Sequence, residues 1–300
     1  MSGENARQRW SLLPRQSGAP SQIEQRVPRR LSSYAGSAGF AILAGLILLA
    51  VLPGLVAPYD PAETVGRPLQ KPSSQFLLGT NDIGQDLLSE LIWGTRASLA
   101  IGIIVGFLAV LIGTIVGLVA GYTSGVPSAV LMRLTDLTLV LPFLPLVILL
   151  SAYLGPSQGN VILILAFVTW AGPARLIRSR VLSLLTEPYI EAAQSVGCTR
   201  RRILLVHIWP GVRFIALVQL LLVASAAILA EASLSFLGLG DPSAKSWGTM
   251  LYFARASGAF LTDAWRWWVL PAGVMITLTV LSLALIGYTA EETLEPGLRT

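Results

Sequence analysis

The residues best suited to chemistry lie in one polar segment, "EAAQSVGCTRRRILLVHIWP", which runs from Glu191 to Pro210. It holds the only cysteine of the chain, Cys198, and the only histidine, His207. One thiol and one imidazole fall short of the roughly four ligands of a zinc site, and no Ser/His/Asp set accompanies them. A GxxxxGK[ST] phosphate loop is also missing from the sequence. The sequence therefore predicts a chain that is not an enzyme and that holds no metal, ATP or other cofactor of its own.

Glu231 is the second candidate, because it is the one acidic residue well inside a long apolar run. A charge within a membrane span is a functional candidate by default, here for a transport pathway or an outer gate. The alternative is a glutamate that meets water near the outer interface. A proton-driven carrier usually needs several such groups, so a single glutamate argues weakly against that class.

The composition indicates what kind of elements must position these residues. Only 12% of the 300 residues are charged, against about 25% in a typical soluble domain. No charge falls in residues 31–59, 97–132, 137–174 or 267–290. Each gap is long enough to cross a bilayer, which takes about 20 apolar residues. Because the ten-residue alternation of barrel strands is absent, the runs are predicted to be helices.

Six membrane-spanning helices follow from these gaps. A turn at residues 155–160, "GPSQGN", divides the third gap, and a short helix is predicted at 83–93 in the outer loop before the second span. The last span opens with the aromatic residues Trp265, Trp267 and Trp268, which indicate an interfacial belt. The predicted fold class is an all-α membrane protein with spans near residues 36–57, 98–122, 137–154, 161–178, 214–237 and 267–290.

The distribution of Lys and Arg predicts the orientation of the bundle. With a cytoplasmic N-terminus, fifteen of these residues lie inside and six outside. The positive-inside rule therefore favours N-in and C-in, and the basic balance reflects a lipid membrane rather than a nucleic-acid partner. The predicted divisions are a disordered basic tail (1–33), the first helix with its extracytoplasmic loop (34–95), a core of five helices (96–290) and a cytoplasmic tail (291–300).

The polar segment itself reads as a small helix followed by a stop and a restart. Glycine at 197 favours the end of the helix, and Pro210 leads into the fifth span. Alanines at 192 and 193 would let another protein approach closely, and Glu191 would offer a charge that fixes its register. The alternative is an ordinary basic loop anchored to lipid headgroups.

The spacing of this segment resembles a known motif. "EAAQSVG", nine residues and "HIWP" are similar to the cytoplasmic EAA loop of binding-protein-dependent ABC importer permeases, in which Glu191, Ala192, Ala193, Gly197 and Pro210 match in register. "APYDP", "LGTNDIGQDLLSELIWGTRASL", "WAGPARLIRSRVLSLLTEPYIEAA" and "EASLSFLGLGDPSAKSWGTML" resemble the C-type permease subunit of dipeptide, oligopeptide and nickel importers. The resemblance covers residues 36–298. The sequence departs from it at Gln85 and Glu90, where arginine is frequent, and at Tyr288, where aspartate is frequent.

The resemblance implies a type I ABC importer permease in the prokaryotic plasma membrane, forming half of a pathway for di- or oligopeptides. Nickel chelates and haem stay open as cargo. The implied partners are a B-type permease subunit, two ATP-binding cassette domains that hold ATP and Mg²⁺, and an extracytoplasmic substrate-binding protein. Residues 183–212 would form the coupling loop, with contacts to the ATPase at Pro188, Tyr189, Glu191, Ala192, Ala193, Ser195, Gly197, Arg200 and Pro210. A secondary carrier or channel without an ATPase, or a membrane scaffold, are the alternatives.

Overall fold

The computed structural model describes the backbone of residues 29–294 and the side chains of residues 34–290. Between loops, this part of the chain is helical, with a single isolated bridge that pairs Thr80 with Asp86. A π-helical turn, Ile203–Ile208, and two 3-10 turns, Ala259–Leu261 and Asp263–Arg266, complete the elements. The α-helices are α1 (Arg29–Val51), α2 (Pro53–Val56), α3 (Leu87–Tyr122), α4 (Val126–Val140), α5 (Phe143–Leu154), α6 (Gln158–Thr169), α7 (Ala171–Leu185), α8 (Pro188–Ser195), α9 (Arg200–Arg202), α10 (Trp209–Phe236), α11 (Trp247–Ala256) and α12 (Val269–Leu294).

The predicted all-α membrane fold is confirmed. Five helical stretches of the described residues are long and apolar enough to cross a bilayer, and a bent pair of helices brings the candidate crossings to six. The five stretches are Tyr34–Val51, Leu87–Tyr122, Gln158–Leu185, Arg200–Phe236 and Asp263–Ala290.

The third predicted span is the one that the structure changes most. Residues 137–154 do not form one helix, because α4 and α5 meet at an angle of 90°. Pro142 stands at the break and has no amide hydrogen to continue the helix, and it restricts Leu141 to the extended conformation observed there (ψ 131°). Helix α4 also begins earlier than predicted, at Val126.

The second predicted span and the short helix before it also differ from the prediction, for simple physical reasons. The short helix predicted at 83–93 and the span at 98–122 are one helix, α3, which Asp86 caps by accepting a hydrogen bond from the amide of Ser89. Arg96 does not interrupt it, because a long charged side chain can extend to the exposed side of a helix.

The predicted tails lie mostly outside the described residues. Residues 1–28 and 295–300 are not described, but α1 already begins at Arg29 and α12 ends at Leu294. The last five residues of the predicted disordered tail and the first four of the predicted C-terminal tail are therefore helical.

Helix α3 lies at the centre of the bundle and contacts α7 and α10 through its glycines. A Cβ added at Gly117 would lie 2.7 Å from the carbonyl oxygen of Ala174 in α7, and one at Gly106 would lie 2.9 Å from that of Leu220 in α10. Small residues spaced four apart allow such close approach of helix backbones in membranes. Glycines 102 and 106 form the seam with α10, and glycines 113, 117 and 121 form the seam with α7.

The predicted aromatic belt is only partly interfacial. Trp265 is 41% exposed, but Trp268 is 1% exposed and belongs to a buried cluster that includes Leu46, Leu99 and Ile276. Trp268 is therefore a core residue that joins α12 to the bundle.

Candidate functional site

Helix α8 is the element that carries the predicted motif. Pro188 is its first residue, a position where the missing amide hydrogen costs no helical hydrogen bond. At its other end Gly197 has φ +81°, and its amide donates to the carbonyl of Gln194 at 3.0 Å. The amide of Cys198 donates to the carbonyl of Ala193 at 3.1 Å. These two bonds form a Schellman motif, so the predicted helix stop at Gly197 is confirmed.

The two faces of α8 differ sharply in burial. Ile190 is 0% exposed and Ala193 is 8% exposed, and Ile190 packs in a cluster with Val181 and Leu184 of α7 and Ile203 of the π-helical turn. The opposite face consists of exposed residues, which are Tyr189, Glu191, Ala192 and Ser195. Of the two motif alanines, therefore, Ala192 is accessible to another protein, while Ala193 packs inward and carries the carbonyl that closes the cap.

The chain restarts at Thr199, whose hydroxyl accepts a hydrogen bond from the amide of Arg202 at 3.4 Å. Arg200 is exposed at the first position of α9. A π-helical turn follows, in which the amide of Trp209 reaches back five residues to the carbonyl of Leu204. Pro210 is exposed in the first turn of α10. A proline ring clashes with the carbonyl four residues earlier in a regular helix, and the wider π turn relieves that clash.

Aromatic contact connects α8 with this restart. The rings of Tyr189 and His207 lie 6.4 Å apart between centroids with an interplanar angle of 48°. Cys198 is half-buried and packs against the same cluster as Ile190. Cys198 and His207, the two residues that first suggested chemistry, thus both have packing contacts near the start of α10.

Glu231 lies in a different place, where α10 meets the start of α11. The side chain is 3% exposed, and its Oε1 accepts hydrogen bonds from the hydroxyls of Ser235 at 2.8 Å and Ser246 at 2.9 Å. Within the described side chains its Oε2 has no partner. In this chain Glu231 is therefore enclosed by protein rather than presented on a surface.

A second buried acid, Glu90, binds Lys245, which directly precedes Ser246 in the same loop. Lys245 donates to Glu90 of α3 and, at 2.8 Å, to Oε1 of Gln85. The Asn81 amide also donates to Gln85 at 2.9 Å, and the Gln85 amide donates to the carbonyl of Ala62 at 2.9 Å. Glu90 is 4% exposed, so its charge depends on Lys245 for compensation.

The loop between α10 and α11 also contains a carboxylate whose charge is stabilised locally. The pKa of Asp241 lies below its ordinary value, because the hydroxyl of Ser243 donates to Oδ1 at 2.6 Å. The amide of Ser243 donates to the same oxygen at 3.0 Å. This turn leads the chain from α10 towards Lys245.

Comparison with known proteins decides the class of this architecture. Residues 113–300 match the family described as binding-protein-dependent transport system inner membrane component. The chain is 41% identical over 269 residues to the dipeptide transport system permease protein DppC of Escherichia coli (strain K12), which covers 87% of this chain and 88% of that protein. The chain belongs to this family. The predicted membership is confirmed.

Two further relatives of the permease have similar coverage. The di/tripeptide transport system permease protein DppC of Pseudomonas aeruginosa (strain UCBPP-PA14) is 36% identical over 269 residues, which are 87% of this chain and 88% of the relative. The dipeptide transport system permease protein DppC of Alkalihalophilus pseudofirmus is 36% identical over 264 residues, which are 87% and 86%. The permease is thus a multi-pass bacterial inner-membrane protein and a transport subunit of an ABC importer, not an enzyme. Such a subunit works with another permease, an ATPase and a binding protein.

Sequence reasoning missed the contacts that Gln85 and Glu90 make in the permease. The sequence shows them only as departures at positions where arginine is frequent in the family, whereas the structure places both against Lys245, which lies 155 residues beyond Glu90 in the chain. The signal that could have found this contact is complementary charge, because a lysine in the loop between α10 and α11 can replace a basic residue near the start of α3.

Proposed function

We propose that this permease forms half of the translocation pathway of an ATP-driven peptide importer and that α8 is its coupling helix. The observation that supports this proposal is the contrast between the two faces of α8. Its inner face is fixed by Ile190 and Ala193, and its outer face presents Tyr189, Glu191, Ala192 and Ser195. An eight-residue helix held on one side and exposed on the other suits insertion into a groove of another protein.

The connections of α8 explain how a force on it would reach the membrane. Its N-terminus continues from α7 through Thr186 and Glu187, and its C-terminal cap leads through Thr199 to α9 and α10. Helices α7 and α10 both pack on α3 through the glycine seams. A displacement of α8 driven by nucleotide binding would therefore move both helices. This movement would change the side of the membrane to which the translocation pathway opens.

The division of labour follows from the site. ATP and Mg²⁺ would be bound by two ATP-binding cassette domains beneath α8, on the predicted cytoplasmic side. A B-type permease would supply the other half of the pathway, and an extracytoplasmic binding protein would deliver cargo to the opposite side. Di- and oligopeptides are the proposed cargo because the relatives are named for dipeptide and di/tripeptide transport.

Reconstitution of the complete transporter tests this function. The permease would be co-purified with its partner subunits, inserted into vesicles with internal ATP, and supplied with loaded binding protein and a radiolabelled dipeptide. Uptake that requires ATP and survives an ionophore that collapses the proton gradient supports an importer. Uptake by the permease without ATPase subunits, or uptake driven by the proton gradient, would favour a channel or a secondary carrier instead.

A further inference from the structure

The bent helix pair α4–α5 is bounded by two unusual glycines. Gly125, before α4, has φ +76°, and Gly155, after α5, has φ +84°. A Cβ built on either would meet no atom within 4 Å, so neither glycine is needed for close packing. Both glycines instead adopt a backbone conformation with positive φ, which other residues rarely adopt. The pair therefore has a 90° break between Val140 and Phe143 and a glycine with positive φ at each end.

Few side chains of α4 attach it to the rest of the bundle. Ser128 is buried and donates to the carbonyl of Ala120 in α3 at 2.6 Å, and Thr135 is 0% exposed. Most other residues of α4 are exposed or half-buried, including Val126, Val130 and Leu137. Farther along, Val147 of α5 is 0% exposed and packs with α6.

An ion pair joins α4 to α7, at a position in α4 six residues before Pro142. Arg175 donates through Nη2 to Oδ1 of Asp136 at 2.6 Å. Three ion pairs occur among the side chains of residues 34–290, and this one alone connects two helices of the candidate membrane spans. The other two involve a loop lysine and a local contact within a 3-10 turn.

The surroundings of this pair argue against an incidental surface contact. An exposed ion pair in water contributes little to stability, and the two side chains are 47% and 59% exposed in the isolated chain. Arg175, however, lies within the candidate span Gln158–Leu185, and Asp136 lies in α4, which forms a candidate crossing together with α5; an unpaired charge at membrane depth is expensive. Separation of the two charges would therefore be costly, and the ion pair should persist while the helices move.

We infer that the Asp136–Arg175 ion pair transmits motion from the coupling helix to α4–α5. This inference rests on the proposed role of α8. Arg175 lies on α7, which leads directly to α8, so a shift of α8 carries Arg175 with it. Asp136 follows, and α4–α5 turns about the bend at Pro142 and the two terminal glycines. Asp136 and Arg175 are thus positioning residues, which convert a displacement at the ATPase side into a change in the wall of the pathway.

The test measures how much cargo is moved per ATP hydrolysed by the assembled transporter in vesicles. Asp136→Asn and Arg175→Gln should retain the ATPase subunits and their stimulation by loaded binding protein, while uptake per ATP falls about five- to tenfold. The exchanged pair, Asp136→Arg with Arg175→Asp, should recover uptake per ATP to within about twofold of the parent, as expected for two residues that act through each other. Asp263→Asn is the matched control, because Asp263 also pairs with an arginine but within one outer turn.

The outcomes separate this inference from the proposed function. Unchanged uptake per ATP in both single variants, or an exchanged pair no better than the product of the singles, would overturn the link. Arg175→Lys keeps the charge and should preserve most of the coupling, so a loss equal to that of Arg175→Gln would also count against it. If either single variant fails to assemble and neither Arg175→Lys nor the exchanged pair restores assembly, the pair serves folding and the inference is wrong. Failure of the proposed function would appear elsewhere, as normal stimulation and uptake in variants of α8 itself.

Discussion

The amide of Cys198 donates a hydrogen bond to the carbonyl of Ala193 at 3.1 Å, across the turn that Gly197 makes possible. The same alanine is only 8% exposed and lies three residues after Ile190, which packs in the buried cluster beneath α8, so the residue that closes the helix also belongs to its inner face. The direction in which α8 presents Glu191 therefore depends on this turn.

Substitution of Gly197 should disturb α8 without disturbing the membrane helices. Gly197→Ala meets no steric obstacle but must keep φ +81°, which costs roughly 1–2 kcal/mol locally, and Gly197→Val should cost more. We expect both chains to insert normally, with reduced retention of the ATPase subunits or reduced stimulation of ATP hydrolysis. Gly172→Ala is the control, since a Cβ there also has open space but the backbone is helical. Equal behaviour of the two alanine variants would remove the turn from the mechanism.

Glu191→Lys reverses the charge on the exposed face of α8. Because the side chain is exposed, the fold should be unaffected, while the contact with the ATPase should weaken. Subunit retention and stimulated ATP hydrolysis should both fall, and uptake should fall with them. Glu63→Lys makes the same reversal on an exposed residue of the first outer loop and should leave ATPase retention intact. Normal retention, hydrolysis and uptake in the Glu191 variant would favour the alternative that residues 191–210 form an ordinary basic loop.

Thiol labelling checks the predicted orientation. Cys198 should be protected from a membrane-impermeant maleimide in right-side-out vesicles and should react in inverted vesicles. Because Cys198 is half-buried, a Cys198→Ser chain with Val196→Cys is a better reporter, since Val196 is 80% exposed. Leu261→Cys in the same background, at a residue that is 92% exposed and predicted to lie on the opposite side of the membrane, should give the reverse pattern. Labelling of position 196 from outside would overturn both the topology and the coupling role.

Replacement of Glu231 separates a structural hydrogen-bond acceptor from a proton carrier. Glu231→Gln keeps an oxygen that can accept from Ser235 and Ser246, so ATP-dependent uptake should be largely preserved and insensitive to the proton gradient. Glu231→Ala leaves two buried hydroxyls without this acceptor, and we expect the permease to lose about 1–3 kcal/mol of stability. Thermal unfolding in detergent and uptake in vesicles measure the two effects. A glutamine variant with normal stability and no uptake would show that the charge itself is needed.

The Glu90–Lys245 pair should show strong coupling in stability. Lys245→Met leaves the buried Glu90 carboxylate without its partner, and removal of one member of a buried pair typically costs about 3–5 kcal/mol, here reduced because Lys245 is 29% exposed. Glu90→Gln combined with Lys245→Met should recover much of the loss. Thermal unfolding of the two single variants and the double variant would measure the coupling, and strictly additive losses would show that the pair does not act as a unit.

The features that sequence could predict are those set by local chemistry. The apolar runs predicted the membrane helices. Gly197 predicted the end of α8, because whether the backbone can adopt a positive φ depends on the residue type at that one position. The 90° bend was missed although Pro142 marks it, because proline ends a helix without determining the direction of the next one. The contacts of Lys245 with Gln85 and Glu90 depend on how distant segments of the chain pack together, and local sequence patterns do not predict such packing.

The glycine seams of α3 have a consequence for evolution and design. Where two helices meet through side chains, a substitution on one helix can be compensated by a different rotamer or a smaller residue on the other. At Gly117 and Gly106 the neighbours of an added Cβ include carbonyl oxygens of the facing backbone, at 2.7 and 2.9 Å, and a backbone atom cannot be exchanged for a smaller one. These positions therefore have no compensating partner in the sequence. Apart from Asp136, random mutagenesis should find tolerated changes at exposed positions of α4 and α5 long before it finds any at these two glycines.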